Sequence, residues 1–173
     1  MKTATCLLLA GLAPLVLGMA HKSELTVRFF AEANAQDTEK FSTPVALKNP
    51  PRAAYIEKVS AINEKMIKAI YPFQAKDGTW GCAFKLDDSG KMSLEVVSTE
   101  RRGSSMIAFI STQAGAHQVI DMLIDKPIRD GIISIPSGLT ELEIAALTKK
   151  FPVLGQQKPK TSFFGRSPKP AGS

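Results

Sequence analysis

Few residues in this chain are of the types that make or break bonds, and their spacing separates them. The 173 residues contain two cysteines, Cys6 and Cys82, and two histidines, His21 and His117. A nucleophilic thiol or hydroxyl needs a base within hydrogen-bond reach. Cys82 lies in GTWGCAFKLD, an apolar stretch of strand composition, where a thiol behaves as a small hydrophobe. Ser104 and Ser105 follow Gly103 but lack the second glycine of a nucleophile elbow. A small hydrolase would have to bring Cys82, Ser104 or Ser105 to His117 in the fold. Asp87, Asp88 and Ser89 could ligate calcium, but Lys91 stands where another oxygen is needed, so Asp87–Gly90 reads as a surface turn. Asp121 and Asp125 could pair as acid and base. They flank an apolar run without a third partner and read as solvated ends. Arg101 and Arg102 beside Gly103 could hold an anion, or equally offset the negative end of a helix. His117, in a small-residue loop, has no carboxylate partner by spacing. No phosphate loop or dinucleotide fingerprint is present. No cofactor or metal site and no catalytic residue is expected.

The two ends of the chain are more informative. MKTATCLLLAGLAPLVLGMA places one cation, Lys2, before an apolar run from Cys6 to Leu17, then Gly18-Met19-Ala20. That is the layout of a secretory signal peptide, residues 1–20, cleaved after Ala20. The run falls short of the about 20 residues of a membrane span. A periplasmic or secreted chain is expected, with Cys82 as its single thiol and no internal disulfide. Residues 156–173, QQKPKTSFFGRSPKPAGS, hold three prolines, four basic residues and no acid. Such a composition predicts a disordered basic tail. Phe163 and Phe164 are its only sticky feature and, with Arg101 and Arg102, are candidate binding residues. The tail could also touch a membrane surface.

Lys2, Lys158, Lys160, Arg166 and Lys169 account for most of the net charge of +6, leaving +1 in residues 21–155. A nucleic-acid surface needs a clustered basic face, so nucleic acid is not expected as a partner.

Periodicity places the elements that must position these residues. Glu24–Ala31 alternates Leu25, Val27 and Phe29 with polar neighbours, a half-buried strand. Glu32–Lys40 reads as a loop or a short exposed turn of helix. Phe41–Leu47 reads as a second strand that Pro44 confines to an edge or to the strand start, Asn49-Pro50-Pro51 as a break, and Ala54–Val59 as a third strand. Ser60 and Glu64 are one residue too far apart for a capping box. The segment from Ser60 suits a helical turn followed by extended chain, ended by Pro72. Lys76–Thr79 is a turn and Trp80–Leu86 a strand. Lys91–Arg102 suits a helix through Leu94, Val97 and Arg101, or a strand through Met92, Leu94 and Val96. Gly103 then sits where a helix-ending glycine belongs. Ser105–Ser111 reads as a central strand, Ala114–Ala116 as a small-residue loop, and Val119–Ile124 as strand or short helix. Asp125-Lys126-Pro127 and Asp130-Gly131 are turns, and Ile132, Ile133 and Ile135 form a strand ended by Pro136 and Gly138. Thr140 and Glu143 complete a capping box, with Leu139 and Ile144 as its hydrophobic staple. Leu142, Ala145 or Ala146, and Leu147 are expected to face the core, and Pro152 ends the helix.

This order of elements resembles the head of the first periplasmic domain of the SecD/SecDF protein-export membrane proteins, over residues 63–152. The matching residues are Gly103 with Ala108, then Ile128, Gly131, Ile133, Ile135 and Gly138, and Thr140 with Glu143 and Leu147. The mature chain as a whole also resembles a family of secreted bacterial proteins. The export proteins carry six membrane spans with intramembrane acids. No second apolar run of that length is present here, so the resemblance implies a fold and a periplasmic binding role rather than transport. It leaves residues 21–60 uncovered, and the preference for helix over Lys91–Arg102 rests partly on it.

The expectation is an α+β fold: one domain, a mixed or antiparallel sheet, two or three helices on one face. Residues 21–60 would supply the N-terminal strands and residues 61–155 the export-head-like region. The expected function is a non-enzymatic accessory module of the envelope, contacting an envelope protein or unfolded polypeptide. The alternatives are a structural subunit of an oligomer and a small envelope hydrolase. Oligomeric state is not fixed by these residues.

Overall fold

A computed structural model of the protein describes residues 25–34, 36, 40–112 and 115–155. Residues 1–20, read above as a signal peptide, and residues 156–173, with Phe163 and Phe164, lie outside the described residues. The elements run β1 (Thr26–Ala31), β2 (Ser42–Lys48), β3 (Pro51–Glu57), β4 (Ile62–Asn63), a 3-10 turn (Glu64–Met66), β5 (Ile67–Gln74) and β6 (Trp80–Leu86). They continue with α1 (Asp88–Glu100), β7 (Ser105–Thr112), β8 (Gly115–Leu123), β9 (Ile132–Leu139) and α2 (Glu141–Lys150). The class is α+β, and every sheet is antiparallel.

Three sheets form: β4-β1-β7-β8, the hairpin β2-β3, and β5-β6-β9. Val27 and Phe29 of β1 and Met106, Ala108 and Ile110 of β7 project from one face of the first sheet. They meet Ile70, Cys82, Phe84, Ile133 and Ile135 of the third. Phe29 and Phe84 cross between the sheets edge to face at 5.7 Å. Leu94 of α1 and Ile144 and Leu147 of α2 complete this main core.

Several local expectations change in the structure. Asp87–Gly90 is the start of α1 rather than a turn: the Asp87 carboxylate accepts the Gly90 amide at 2.8 Å, satisfying a donor the helix start leaves open. The 3-10 turn is capped by Asn63, whose side chain accepts from the Lys65 amide, so Ser60 has no capping part. Pro72 does not end its strand. It sits inside β5, an edge strand where a missing N–H is tolerated. Outside β5 the backbone of Pro152 and Leu154 bonds to both sides of Ile70. A further bond of that parallel ladder would need an N–H that Pro72 lacks.

Pro136 and Gly138 likewise lie within β9, the opposite edge strand. A β-bulge opposite Trp80–Cys82 absorbs them. A side chain at Gly81 would overlap the Phe73 ring and the Pro136 carbonyl, which explains a glycine in a central strand. The small-residue loop is shorter than expected, because β8 begins at Gly115 and includes His117 and Val119–Leu123. Gly103 does adopt a positive φ of 85°, but its N–H donates to the Ile124 carbonyl rather than closing the helix. The capping box of Thr140 and Glu143 forms in full. Leu139 and Ile144 are both buried beside it, whereas Leu142 is 83% exposed: α2 turns Ile144 and Leu147 inward and leaves Leu142 in solvent.

Candidate functional site

The first sheet carries apolar side chains on both faces. Val27, Phe29 and Ala31 of β1 point to the main core, so Arg28 and Phe30 point the other way. Their antiparallel partners on β7 are Phe109 and Ile107. This outer face is covered in part by the β2–β3 hairpin. Leu47, Ala54 and Ile56 of the hairpin form a second cluster with Ile107, flanked by Phe30 and Phe109. The Phe30 and Phe109 rings stand edge to face at 5.7 Å.

Polar contacts fasten the hairpin. At its tip, one oxygen of Asp121 accepts the amides of Lys48 at 3.0 Å and Asn49 at 2.7 Å. Arg52 forms a two-pronged pair with Glu32, at 2.5 and 2.7 Å. Glu32 also accepts the Ser105 amide at 2.9 Å. The Arg52 guanidinium holds the Glu32 carboxyl below its usual range, helped by the Ser105 amide and opposed by partial burial. At the base, Arg101 donates to Glu57 at 2.5 Å and to Asn34 at 2.8 Å.

The hairpin leaves part of the outer face uncovered, and a groove of about 560 Å³ opens there. Phe30, Phe109 and Ile56 form its apolar surface, Thr43 and Lys58 lie on the hairpin side, and Arg28, Ser111 and Ala116 lie on the sheet. Arg28 keeps 52% of its side chain exposed, with Glu64 4.0 Å away. Lys58 donates to the Lys40 carbonyl at 2.7 Å. The groove therefore joins an apolar surface to two cations at its rim, a composition suited to holding a chain segment.

The candidate residues read from sequence fall elsewhere. Arg101 is taken up by Glu57 and Asn34, and Arg102 donates to the Asp125 carbonyl at 3.0 Å. Cys82 is fully buried in the main core, and burial pushes its thiol up to about 12. Ser105 is buried too. His117 faces the Glu143 carboxylate at 3.5 Å, a partner on α2 that spacing along the chain does not reveal. The structure does not bring Cys82, Ser105 and His117 into one cleft. Asp121 is not a solvated end: it is 4% exposed and holds the hairpin tip. Among the described residues no group of three or more His, Cys, Asp or Glu could hold a metal ion, and no helix is long and apolar enough to cross a membrane.

Sequence reasoning passed over Arg28, Phe30, Lys58 and Phe109. Two signals were present. Phe29-Phe30 places apolar side chains on both faces of β1, and Met106–Ile110 has no polar position at all. Both patterns mark strands covered on each side.

Fold and groove together define an α+β module with a two-faced central sheet and an apolar groove on its outer side. No family model matches the chain, and no curated protein matches it. Among solved structures it is similar to one of SecDF, described as a membrane component that enhances protein export, with a TM-score of 0.52 and 12% identity. That match covers 76% of this chain and 66% of the other, so the chain spans just under two thirds of that structure. A second match, SecDF in a super-membrane-facing form, has a TM-score of 0.48 and 12% identity over 74% of this chain and 19% of that one. At this identity the likeness concerns the fold. It extends over more of the chain than the 63–152 stretch whose motifs first pointed to it.

Proposed function

We propose that this chain is an exported accessory module of the envelope that holds extended polypeptide in the groove between the first sheet and the hairpin. The observation that carries the reading is the groove itself: Phe30, Phe109 and Ile56 line an open surface beside a two-stranded element held on by few contacts. The fold likeness to SecDF, a component said to enhance protein export, and the signal-like leader support the same reading. Localisation in the periplasm or outside the cell is part of the proposal. Fluorescence anisotropy with a labelled, reduced and alkylated unfolded protein tests it. Ser111→Trp fills the groove from the strand surface without touching the main core. Binding should weaken about tenfold, the effect of losing one well-buried contact. An affinity unchanged by Ser111→Trp, with the fold intact by circular dichroism, would sink the reading.

A second reading, a subunit of an oligomer, is favoured by one observation. The outward side of the hairpin is also apolar, with Pro44 opposite Tyr55 and Ala46 opposite Ala53, all exposed. Sedimentation of the wild type against Tyr55→Lys separates the two, since only an oligomer that uses this face would dissociate.

A further inference from the structure

The rim of the groove has a charge pattern that the apolar surface does not explain. Four ionisable groups need accounting for. Glu57 lines the groove, but its charge is matched by Arg101 at 2.5 Å. Glu64 forms a long ion pair with Arg28 at 4.0 Å, which offsets part of its charge but lies beyond hydrogen-bond reach. Lys58 is bonded to a neutral carbonyl. Arg28, half exposed and paired with Glu64 only at that long distance, and Lys58, bonded to a carbonyl, therefore both remain open to a guest carboxylate.

Position turns this charge into a register. Arg28 and Phe30 are two residues apart on one strand, so both point to the outer face, about 7 Å from each other along β1. A guest lying extended along β1 repeats the same spacing. When one of its apolar side chains rests on Phe30 and Phe109, its side chain two residues away reaches Arg28, with Lys58 on the opposite wall. The intervening side chain points out of the groove.

Resting on the polypeptide-holding reading above, we infer that the groove selects extended segments in which an aromatic or branched residue is followed or preceded, two positions away, by a carboxylate. Apolar contact supplies the binding, and the carboxylate on Arg28 and Lys58 sets which segment is held and in what register.

The probe is a pair of isomeric peptides of identical composition, one containing Phe-Ser-Asp and the other Phe-Asp-Ser, titrated into the full chain beside the unfolded protein. The Phe-Ser-Asp isomer should bind roughly threefold tighter at low salt, the effect of a partly exposed charge pair. The preference should shrink as ionic strength rises. It should vanish in Arg28→Gln and persist in Arg28→Lys. Lys58→Gln, a change on an exposed side chain, should reduce it without altering the fold. Equal affinity for the two isomers overturns the register and leaves the polypeptide-holding reading standing, as does capture of the unfolded protein without either peptide. Loss of all binding, the unfolded protein included, removes both.

Discussion

The main core and the hairpin differ in how they are held, and the difference indicates which part of the molecule is free to meet a partner. The main core joins two sheets and two helices through large side chains with no solvent exposure, among them Phe29, Phe84, Ile135 and Leu147. Each such side chain contributes about 1.5–3 kcal/mol by leaving water, and their contacts cross many elements. The hairpin has four buried residues in its cluster, one of them Ile107 from the sheet below. The rest of its attachment is polar: Asp121, the Glu32–Arg52 pair and the Arg101–Glu57 pair. An element held by few apolar contacts and several partly exposed bonds opens at a lower free energy than the core beneath it. The groove lies at the boundary between the two.

The largest expected effect falls on the core. Phe84→Ala removes the ring that meets Phe29 and should cost about 3–5 kcal/mol, read as a lower denaturant midpoint for the whole molecule. Asp121→Ala comes next. It strands the Lys48 and Asn49 amides at the hairpin tip and should cost about 1–3 kcal/mol. Hydrogen exchange should report that loss in β2 and β3 first, with β6 and β7 still protected. Equal loss of protection in both regions would mean that hairpin and core open as one unit. Thr140→Ala removes the cap of α2 and should cost about 1 kcal/mol, felt in the core because Ile144 and Leu147 are anchored there.

The smallest effect is the pH response of the hairpin. The Glu32 carboxyl is held below its usual range in the folded chain, so folding favours its ionised form. The resulting stability is present above the unfolded carboxyl's value, near 4.5, and is lost as pH falls through the lower folded value. Hairpin exchange should therefore quicken on acidification below that value, and Glu32→Gln should remove this component of the response. Arg52 is exposed, so the effect should also weaken with salt.

The core was the more legible region in sequence. Alternation in Leu25–Ala31, the apolar run Met106–Ile110 and the capping box at Thr140 each report a local rule that the fold obeys. Proline misled twice: Pro72 and Pro136 punctuate a sequence, yet on the edge strands β5 and β9 the missing N–H leaves the strand intact. The Asp87–Gly90 signal was also ambiguous, since the same residues make turns and cap helices. The groove was hidden for another reason. Arg28, Lys58 and Phe109 come together through strand pairing and the fold-back of the hairpin, contacts distant in sequence that no local pattern encodes. The partnership of His117 with Glu143 was hidden in the same way.

The most direct measurement is hydrogen exchange of the full chain with and without saturating unfolded polypeptide. Occupation of the groove predicts slowed exchange in β2, β3 and the segment around Lys58, with β5, β6 and β9 unchanged. Protection confined to β5 or β9, or no protection anywhere at saturation, would contradict it.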